Sequence, residues 1–522
     1  MPKYSLRLPG RVLDLLCLAL IVAALVVIMR PYLSTVYWLG DEGIILHGLR
    51  RMRDGETIYR DFFEYLPPGV FALTGAWLHL LPFSLLSARL FVVLMCALTA
   101  VATYLACRHA GGGRVLSAFL PVAWTWMSQG SFTQVNHHLI SLPLSMLALL
   151  ATLRALDAPG TARGWSFVAG LIAGATLSVT QHRGVLACIA AFASMLGPRE
   201  RWRLLPTLIL GGAVVPSLVV AGLLALGIAG DAFRDVVLFT LTRYEKIQDV
   251  PFGSWPTPAN WPLVGLFPLA LGGALLSVLL DWQRWRDDPR PRAYLAFAVA
   301  GLLGCFPRAD TIHIAWCAPL GLPLLVYLLG RLATALKGWL RWAPATAVVL
   351  LCLPSGQEAR WNASRVHRMP SVETALGEVR VPDAAHRMLL LHLGALPPRQ
   401  AVFSYPYLPL LPVLTGHRHV ARNDVFMQWF TSPEQFADAC RAVMVGADWV
   451  VLDRKWMSPT FIRQVFPAMP PNDPPEFEAF NRAMEEGFEL DASYGNFQLR
   501  RRSPAAEPAL CAPILVAAAP PR

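Results

Sequence analysis

The run VLDLLCLALIVAALVVIMR at residues 12–30 decides the fold, because a helix needs roughly 20 predominantly apolar residues to cross a bilayer. Similar apolar runs follow along the first two thirds of the chain. They lack the alternation of barrel strands, and unpaired backbone groups are costly in lipid, so each run predicts a helix. We therefore predict a polytopic α-helical membrane protein with about twelve transmembrane helices. The predicted spans are 12–30, 66–82, 84–107, 115–130, 137–153, 165–180, 184–197, 204–228, 261–280, 293–306, 314–330 and 343–354.

The composition of the chain agrees with this class. Its 522 residues are 55% hydrophobic and 15% charged, the mean hydropathy is +0.46 and the formal net charge is +11. These values exclude a disordered chain, a small disulfide-rich protein and an ordinary soluble enzyme. The basic residues lie between the apolar runs instead of forming one patch, so nucleic acid is not an expected partner.

The distribution of charge predicts the orientation of the membrane region. Residues 355–522 carry 17 basic and 17 acidic side chains, so the whole net charge of +11 belongs to residues 1–354. Alternate loops, starting with the N-terminus, hold 17 Lys and Arg against six Asp and Glu, and the positive-inside rule places such loops in the cytoplasm. No small-residue cleavage site precedes Arg30-Pro31, which predicts an uncleaved anchor. We expect a multi-pass protein of the inner (plasma) membrane with a cytoplasmic N-terminus.

Three units are predicted along the chain. Residues 1–354 form the membrane module, whose first outer loop is 31–65; residues 355–502 form an extracytoplasmic (periplasmic) α/β domain; and residues 503–522, rich in Ala and Pro, form a loose tail. Buried apolar runs predict strands in the α/β domain, and helical spacing predicts helices between them. The strands are expected at 400–405, 448–453 and 496–499, and the helices at 372–393, 433–445 and 475–487.

Most of the nine cysteines fall in predicted spans, where Cys usually behaves as a small hydrophobic residue. Cys440 and Cys511 lie outside the spans, and the sequence leaves open whether they form a disulfide in an oxidising compartment. Neither a CxxC nor an HExxH spacing occurs, so no structural or peptidase-type metal site is predicted.

The first outer loop carries an adjacent pair of acids, Asp41 and Glu42, just after the first span. An acid near hydrocarbon is costly unless it faces water or a partner. One interpretation is a solvated loop balanced by Arg50, Arg51 and Arg53. The other makes Asp41 a general base at a cavity level with the membrane surface. Because neighbours on a helix point about 100° apart, one carboxylate can face a reaction centre while the other makes a structural contact.

The order of motifs in residues 38–90 resembles that of the GT-C glycosyltransferases, in particular the protein O-mannosyltransferase, lipid A aminoarabinose transferase and lipopolysaccharide-sugar transferase types. The acidic pair is followed by Tyr59-Arg60-Asp61-Phe62, by Pro67-Pro68-Gly69 at the entry to the second span and by Arg89 before the third. Residues 405–422 are also similar to the start of the outer domain in bacterial members.

This resemblance implies transfer of a sugar, hexosyl or pentosyl, from a polyprenyl-phosphate carrier to a lipid, glycan or protein acceptor on the non-cytoplasmic face. Asp41 would be the base, and Glu42 would be the second catalytic residue. Tyr59, Arg60 and Asp61 would position the acceptor or the loop. No cofactor is expected to be required, with the lipid-phosphate-linked sugar as co-substrate, while Arg89 is assigned a structural role.

The second outer loop, residues 131–138, departs from the family pattern because it lacks an acid. This leaves open whether a divalent metal takes part. His137 and His138 are candidates for acceptor binding or proton handling, although adjacent histidines at a span boundary are more often interfacial.

Two further groups suit a donor that carries phosphate. His182 and Arg183 join two short spans, and an Arg at that depth requires a cavity, an anion or an acidic partner. Arg308, Asp310 and His313 follow another span, and Arg can grip a phosphate through two parallel hydrogen bonds. The alternative is an internal ion pair in which Asp310 only anchors a helix end. Arg243 and Lys246 form a weaker third candidate.

A twelve-span transporter or flippase of saccharides or lipid-linked saccharides is the rival class. Transporters of this size commonly contain internal repeats, and none is visible here. The acidic first loop and the outer domain also favour an enzyme. A purely structural subunit is the third possibility and would leave Asp41 dispensable. The sugar, the acceptor and the polyprenyl length are not encoded in motifs of this size.

Overall fold

The computed structural model describes residues 10–128, 133–196, 199–244 and 247–517, and its first two thirds are almost entirely helical. A helix lies at each of the twelve predicted spans. Short helical segments cover 229–244. The helices are α1 Gly10–Met29, α2 Glu42–Arg53, α3 Pro68–Leu80, α4 Leu85–His109, α5 Arg114–Ser128, α6 His137–Asp157, α7 Ala162–Val179, α8 Gln181–Met195, α9 Leu205–Ala225, α10 Trp261–Leu280, α11 Pro289–Leu303, α12 Thr311–Ala315, α13 Leu322–Ala335 and α14 Ala343–Val366.

Seven helices in the described part of the chain are long and apolar enough to cross a membrane. Helices α3, α5, α8 and α11 have only 13 to 15 residues, and α14 continues past the predicted end at 354 into a polar second half. The protein is thus multi-pass. Its described residues contain seven candidate spans by length and composition, so the predicted count of about twelve is not confirmed. The seven are Gly10–Tyr32, Leu85–His109, His137–Asp157, Pro159–Val179, Arg201–Ala225, Trp261–Leu280 and Ala318–Ala335.

Helix α2 lies in the first outer loop and is amphipathic. Its apolar face packs under α16, Leu410–Thr415, of the C-terminal region. The approach is close, since a Cβ on Gly43 would lie 2.0 Å from the backbone nitrogen of Leu410. The first outer loop and the C-terminal region therefore form one packed unit.

The C-terminal region contains a four-stranded sheet in the order β3-β4-β6-β5, in which only β3 and β4 are parallel. Three strands and two helices confirm the predicted elements, and Ser432 caps the first of these helices, Pro433–Gly446, in a capping box. Strand β5 was not predicted, because its outward face is polar. The elements are β3 Val402–Tyr405, α17 Pro433–Gly446, β4 Trp449–Asp453, α18 Pro475–Gly487, β5 Phe488–Tyr494 and β6 Phe497–Arg502.

The predicted helix at 372–393 is wrong in its first half. The chain forms a hairpin of β1 Ser371–Thr374 and β2 Gly377–Arg380, and only α15, Ala384–Ala395, is helical. Gly377 adopts φ +97°, which favours a turn over a helix. Arg380 also exchanges backbone hydrogen bonds with the first outer loop, donating to Ser34 and accepting from Val36, so tertiary pairing overrides the helical spacing.

The tail from Ser503 also differs from the prediction as far as it is described. Cys440 of α17 and Cys511 form a disulfide, and a short helix, Ala512–Ala517, follows it. That helix packs against α18. Residues 503–517 are therefore tied to the domain by a covalent bond and by buried contacts such as those of Ile514.

Candidate functional site

A cavity of about 360 Å³ lies where the two outer loops, the segment before α12 and the C-terminal region meet. It brings together six of the predicted site residues from three distant parts of the sequence. These are Asp41, His137, His138, Arg308, Asp310 and His313. Four tyrosines that the sequence did not single out also line it, namely Tyr37, Tyr65, Tyr244 and Tyr407.

Asp41 immediately precedes α2, but its carboxylate does not cap that helix. Instead its Oδ1 accepts a hydrogen bond from the hydroxyl of Tyr407. Loss of water contact raises the pKa of Asp41, while the Tyr407 bond and the charges of Arg308 and His313 act in the opposite direction. A carboxylate with a raised pKa is a stronger base, so the site increases the basicity of Asp41.

The side chain of Glu42 points away from the cavity and is not part of its lining. Its carboxylate accepts from Arg89 at 2.6 Å and 3.1 Å and from the backbone nitrogen of Val135 at 3.0 Å. Arg89 also donates to the carbonyl oxygens of Tyr32 and Thr35. The buried pair thus ties both outer loops to α4, which is a structural contact and does not place Glu42 at the reacting atoms.

Arg308 reaches the cavity from the segment before α12. Its Nε donates to Asp310 at 2.9 Å and its Nη1 donates to Gln248 at 3.2 Å. Within the described ranges its Nη2 has no hydrogen-bond partner, which leaves both N–H groups of this nitrogen available. Its charge also lies over the ring of Phe466, 4.8 Å from the centroid. One edge of the guanidinium is therefore fixed by hydrogen bonds, and the Nη2 edge is free to bind a ligand.

Asp310 is fully buried and organises this segment. It accepts from the backbone nitrogens of Ile312 and His313 at 3.0 Å and from His313 Nδ1 at 2.8 Å. Burial raises its pKa, but His313 and Arg308 outweigh burial, so the pKa lies below the usual value and the carboxylate stays ionised. Asp310 thus anchors the start of α12 and orients the side chains of Arg308 and His313.

Four histidines gather on one side of the cavity. The ring centroids of His137 and His138 are 3.9 Å apart, His138 lies 5.2 Å from His313, and His138 stacks on Trp316 at 4.7 Å. His182 is 6.3 Å from His138. Within the described residues no group of three or more His, Cys, Asp or Glu is arranged to hold a metal ion.

A second cavity of about 270 Å³ adjoins the first and shares several of its walls. It extends to His182, Thr240 and Phe306, and both cavities contact Tyr65, Tyr244 and Arg308. Arg308 and His313 therefore lie between two adjacent cavities. The residues common to both cavities are Tyr65, Leu66, His137, His138, Tyr244, Arg308 and His313.

Arg183 does not line either cavity. It is buried behind the histidines, where its Nη1 donates to the carbonyl oxygens of His138 and Trp316 at 3.3 Å. Arg243 also lies away from both cavities, and Lys246 falls outside the described residues, as do Ser131 and Phe132 of the second outer loop.

Tyr59, Arg60 and Asp61 lie outside the cavities as well. The buried Tyr59 donates to the carbonyl oxygen of Leu66 at 2.8 Å. Arg60 and Asp61 form an exposed pair at 3.4 Å, and Asp61 accepts from the backbone nitrogen of Thr57. The three residues shape the turn that carries the chain into α3.

An aromatic wall, formed by Trp38, Tyr407 and Trp456, closes the outer side of the main cavity. The ring centroids lie 5.1 Å apart for Trp38–Tyr407 and for Tyr407–Trp456, and 5.3 Å apart for Trp38–Trp456. The sequence offered little signal for Tyr407 or Trp456, because only the folded C-terminal region brings them to Asp41.

No protein-family profile and no curated protein matches the sequence significantly. Solved structures do match over almost the whole chain. The crystal structure of ArnT from Cupriavidus metallidurans bound to undecaprenyl phosphate aligns with 95% of this chain and 99% of its own, at 13% identity and a TM-score of 0.53. Its apo state aligns with 94% and 98%, at 14% identity and a TM-score of 0.53.

The arabinofuranosyltransferase AftD from Mycobacteria aligns with 96% of this chain and 40% of its own, at 15% identity and a TM-score of 0.51. At these identities the likeness concerns the fold. It extends through both the helical region and the C-terminal α/β region, in agreement with the motif order in the first outer loop. The chain therefore has the fold of the GT-C glycosyltransferases, as its sequence predicts.

Proposed function

We propose that this protein is a membrane glycosyltransferase that moves a sugar from a polyprenyl-phosphate donor to an acceptor hydroxyl, with Asp41 as the general base. The observation that carries the proposal is the position of Asp41. Its carboxylate faces a cavity that also holds Arg308 and His313, and that cavity adjoins a second one. The undecaprenyl phosphate bound to ArnT supports the donor class.

The proposed reaction is a single displacement at the anomeric carbon. The acceptor oxygen forms a bond to this carbon while its proton passes to Asp41, and the bond from the carbon to the phosphate oxygen breaks. The leaving polyprenyl phosphate carries negative charge, which Arg308 stabilises through its open edge. Because Asp310 and Gln248 already fix the guanidinium, little reorganisation is needed as charge develops.

In this proposal each of the two cavities binds a different substrate. Asp41 lies in the main cavity only, so the acceptor hydroxyl is placed there. The donor phosphate lies between the cavities, beside Arg308 and His313, and its lipid chain occupies the second cavity with His182. Arg183 adds positive charge from behind His138 without touching the substrate. The C-terminal domain and this site are placed on the non-cytoplasmic side, in agreement with the positive-inside rule.

The test is the Asp41→Asn variant of the full-length protein, assayed with a radiolabelled polyprenyl-phosphate sugar and extracted envelope acceptors. Loss of a general base lowers kcat by roughly 10²- to 10⁴-fold, while donor binding is retained. Asp54→Asn is the matched control, because Asp54 is an exposed acid of the same loop. Full activity of a well-folded Asp41→Asn variant would refute the base assignment, and uptake of the saccharide without transfer would indicate a transporter.

A further inference from the structure

A third cavity, of about 290 Å³, lies on the far side of the aromatic wall from Asp41. The first outer loop and the C-terminal region form it together. It shares Tyr37 and all three rings of the aromatic wall with the main cavity. The wall is therefore the partition between this cleft and the space in which Asp41 lies.

The cleft is lined by polar groups that suit hydroxyl ligands. Asp453 ends β4 and is 5% exposed, and its Oδ1 accepts from the backbone nitrogen of Lys455 at 3.0 Å. Asp383 and Asn496 are exposed at the rim, one before α15 and the other in the turn between β5 and β6. His386 is held by Asp383 at 2.8 Å. Carboxylate and amide oxygens accept hydrogen bonds from hydroxyls, and the amide also donates them.

The charge of the cleft argues against an anionic ligand. Two carboxylates, Asp383 and Asp453, face one ammonium, that of Lys455. The Lys455 ammonium already lies over the ring of Phe461, 4.6 Å from its centroid. A phosphate would therefore meet more negative than positive charge. An acyl chain would shield the Asp453 carboxylate from water and add no hydrogen bond to the one it accepts from the backbone of Lys455.

Aromatic rings beside carboxylates and an amide match the chemistry of a sugar ring. A pyranose has C–H faces that pack on aromatic surfaces and hydroxyl edges that require hydrogen-bond partners. We infer that this cleft binds an uncharged saccharide of the acceptor, which makes the acceptor a glycan or a glycoconjugate recognised through its sugar. The inference rests on the proposed function, in which the acceptor hydroxyl approaches Asp41.

The position of Tyr407 connects the two spaces. Its ring belongs to the cleft, while its hydroxyl donates to Asp41 in the main cavity. A saccharide seated against the wall therefore lies beside the residue that contacts the base. The sugar that is bound in the cleft either carries the reacting hydroxyl or is joined to the unit that does.

Direct binding provides the first test. The full-length protein in detergent is titrated with methyl glycosides of glucose, galactose, mannose and N-acetylglucosamine and with their disaccharides. Saturation-transfer NMR monitors binding at each step. The double variant Asp383→Ala/Asn496→Ala should bind the saccharide with a Kd about tenfold higher, as expected for lost hydrogen bonds. The control Asp438→Ala/Glu489→Ala removes two exposed acids of the same domain away from the cleft and should bind as the parent does. If Asp383→Ala alone lowers the melting temperature, Asn496→Ala carries the test.

Transfer assays separate this inference from the proposed function. The double variant should raise KM for the acceptor about tenfold with KM for the donor unchanged. Transfer in a protein that binds none of the glycosides, with an unaltered acceptor KM in the double variant, would overturn the inference and leave the glycosyltransferase proposal intact. Glycoside binding that depends on Asp383 and Asn496, in a protein that neither binds nor uses a polyprenyl-phosphate sugar, would support the cleft and refute the transferase.

Discussion

The hydroxyl of Tyr407 donates a hydrogen bond to Oδ1 of Asp41 across 366 positions of sequence. The C-terminal region thus completes a site that the first outer loop begins. The bond stabilises the ionised carboxylate, whereas burial, the larger effect, raises its pKa. The basicity of Asp41 therefore depends on a residue that belongs to the outer domain.

Replacing Tyr407 with Phe should shift the pH profile of transfer. The Tyr407 bond lowers the pKa of Asp41, so its loss raises that pKa further. A general base works only when deprotonated, so the acid limb of kcat/KM should move to higher pH, with smaller losses at alkaline pH. Tyr405→Phe is the matched control, since the hydroxyl of Tyr405 contacts Asn481 and not Asp41. An acid limb that stays in place in Tyr407→Phe would contradict this role.

Arg308→Lys should impair use of the donor more than use of the acceptor. Lysine keeps the charge but loses the planar fork that bonds Asp310 and Gln248 while an edge stays open. We expect kcat to fall and KM for the donor to rise, each about tenfold. Arg60→Lys, at an exposed position, should behave as the parent. An effect confined to the acceptor KM would place the phosphate elsewhere.

Glu42→Gln should destabilise the protein, because it leaves the guanidinium of Arg89 buried beside a neutral partner. Both side chains are at most 4% exposed, and breaking such a pair costs about 3–5 kcal/mol. Asp61→Asn breaks an exposed pair with Arg60 and should cost less than about 1 kcal/mol. Thermal unfolding in detergent measures both. Equal melting temperatures for the two variants would show that the buried pair is not a major support of the loop.

Gly43→Ala should loosen the contact between α2 and the C-terminal region. The added Cβ would lie 2.0 Å from the nitrogen and 2.5 Å from the Cα of Leu410, so backbone must move. Limited proteolysis should therefore release the C-terminal region faster, and activity should fall because Tyr407 leaves Asp41. Gly394→Ala is the control: this helical glycine has open space around it, and Ala favours a helix by about 0.5–1 kcal/mol. Unchanged proteolysis in Gly43→Ala would refute the tight contact.

The sequence predicted the features that depend on neighbouring residues, namely the apolar helices and the directions of adjacent side chains. Apolar runs predicted the seven described helices that are long enough to cross a membrane, and the adjacency of Asp41 and Glu42 predicted that the two carboxylates diverge. The hairpin at 371–380 escaped prediction because its pairing partner, the segment around Ser34, is more than 300 residues away in sequence. The same distance hid Tyr407 and Trp456, whose place beside Asp41 depends on how the C-terminal region docks. Arg183 was expected near a phosphate, and only packing shows that His138 and Trp316 lie in front of it.

The disulfide between Cys440 and Cys511 links the stability of the C-terminal domain to its compartment. It closes a loop with a sequence separation of 71, and removing it should cost about 2–4 kcal/mol of folding free energy and expose the helix Ala512–Ala517 to protease.

Disulfides persist in oxidising compartments, so a domain outside the cytoplasm should hold both thiols oxidised in intact cells. Labelling denatured protein with a polyethylene-glycol maleimide should then add two modified thiols after reduction. The variant Cys440→Ala/Cys511→Ala should lose this increment, whereas Cys107→Ala, which removes a buried free thiol, should keep it. Both thiols labelled without reductant would place the domain in the cytoplasm and, with it, the cavity that contains Asp41.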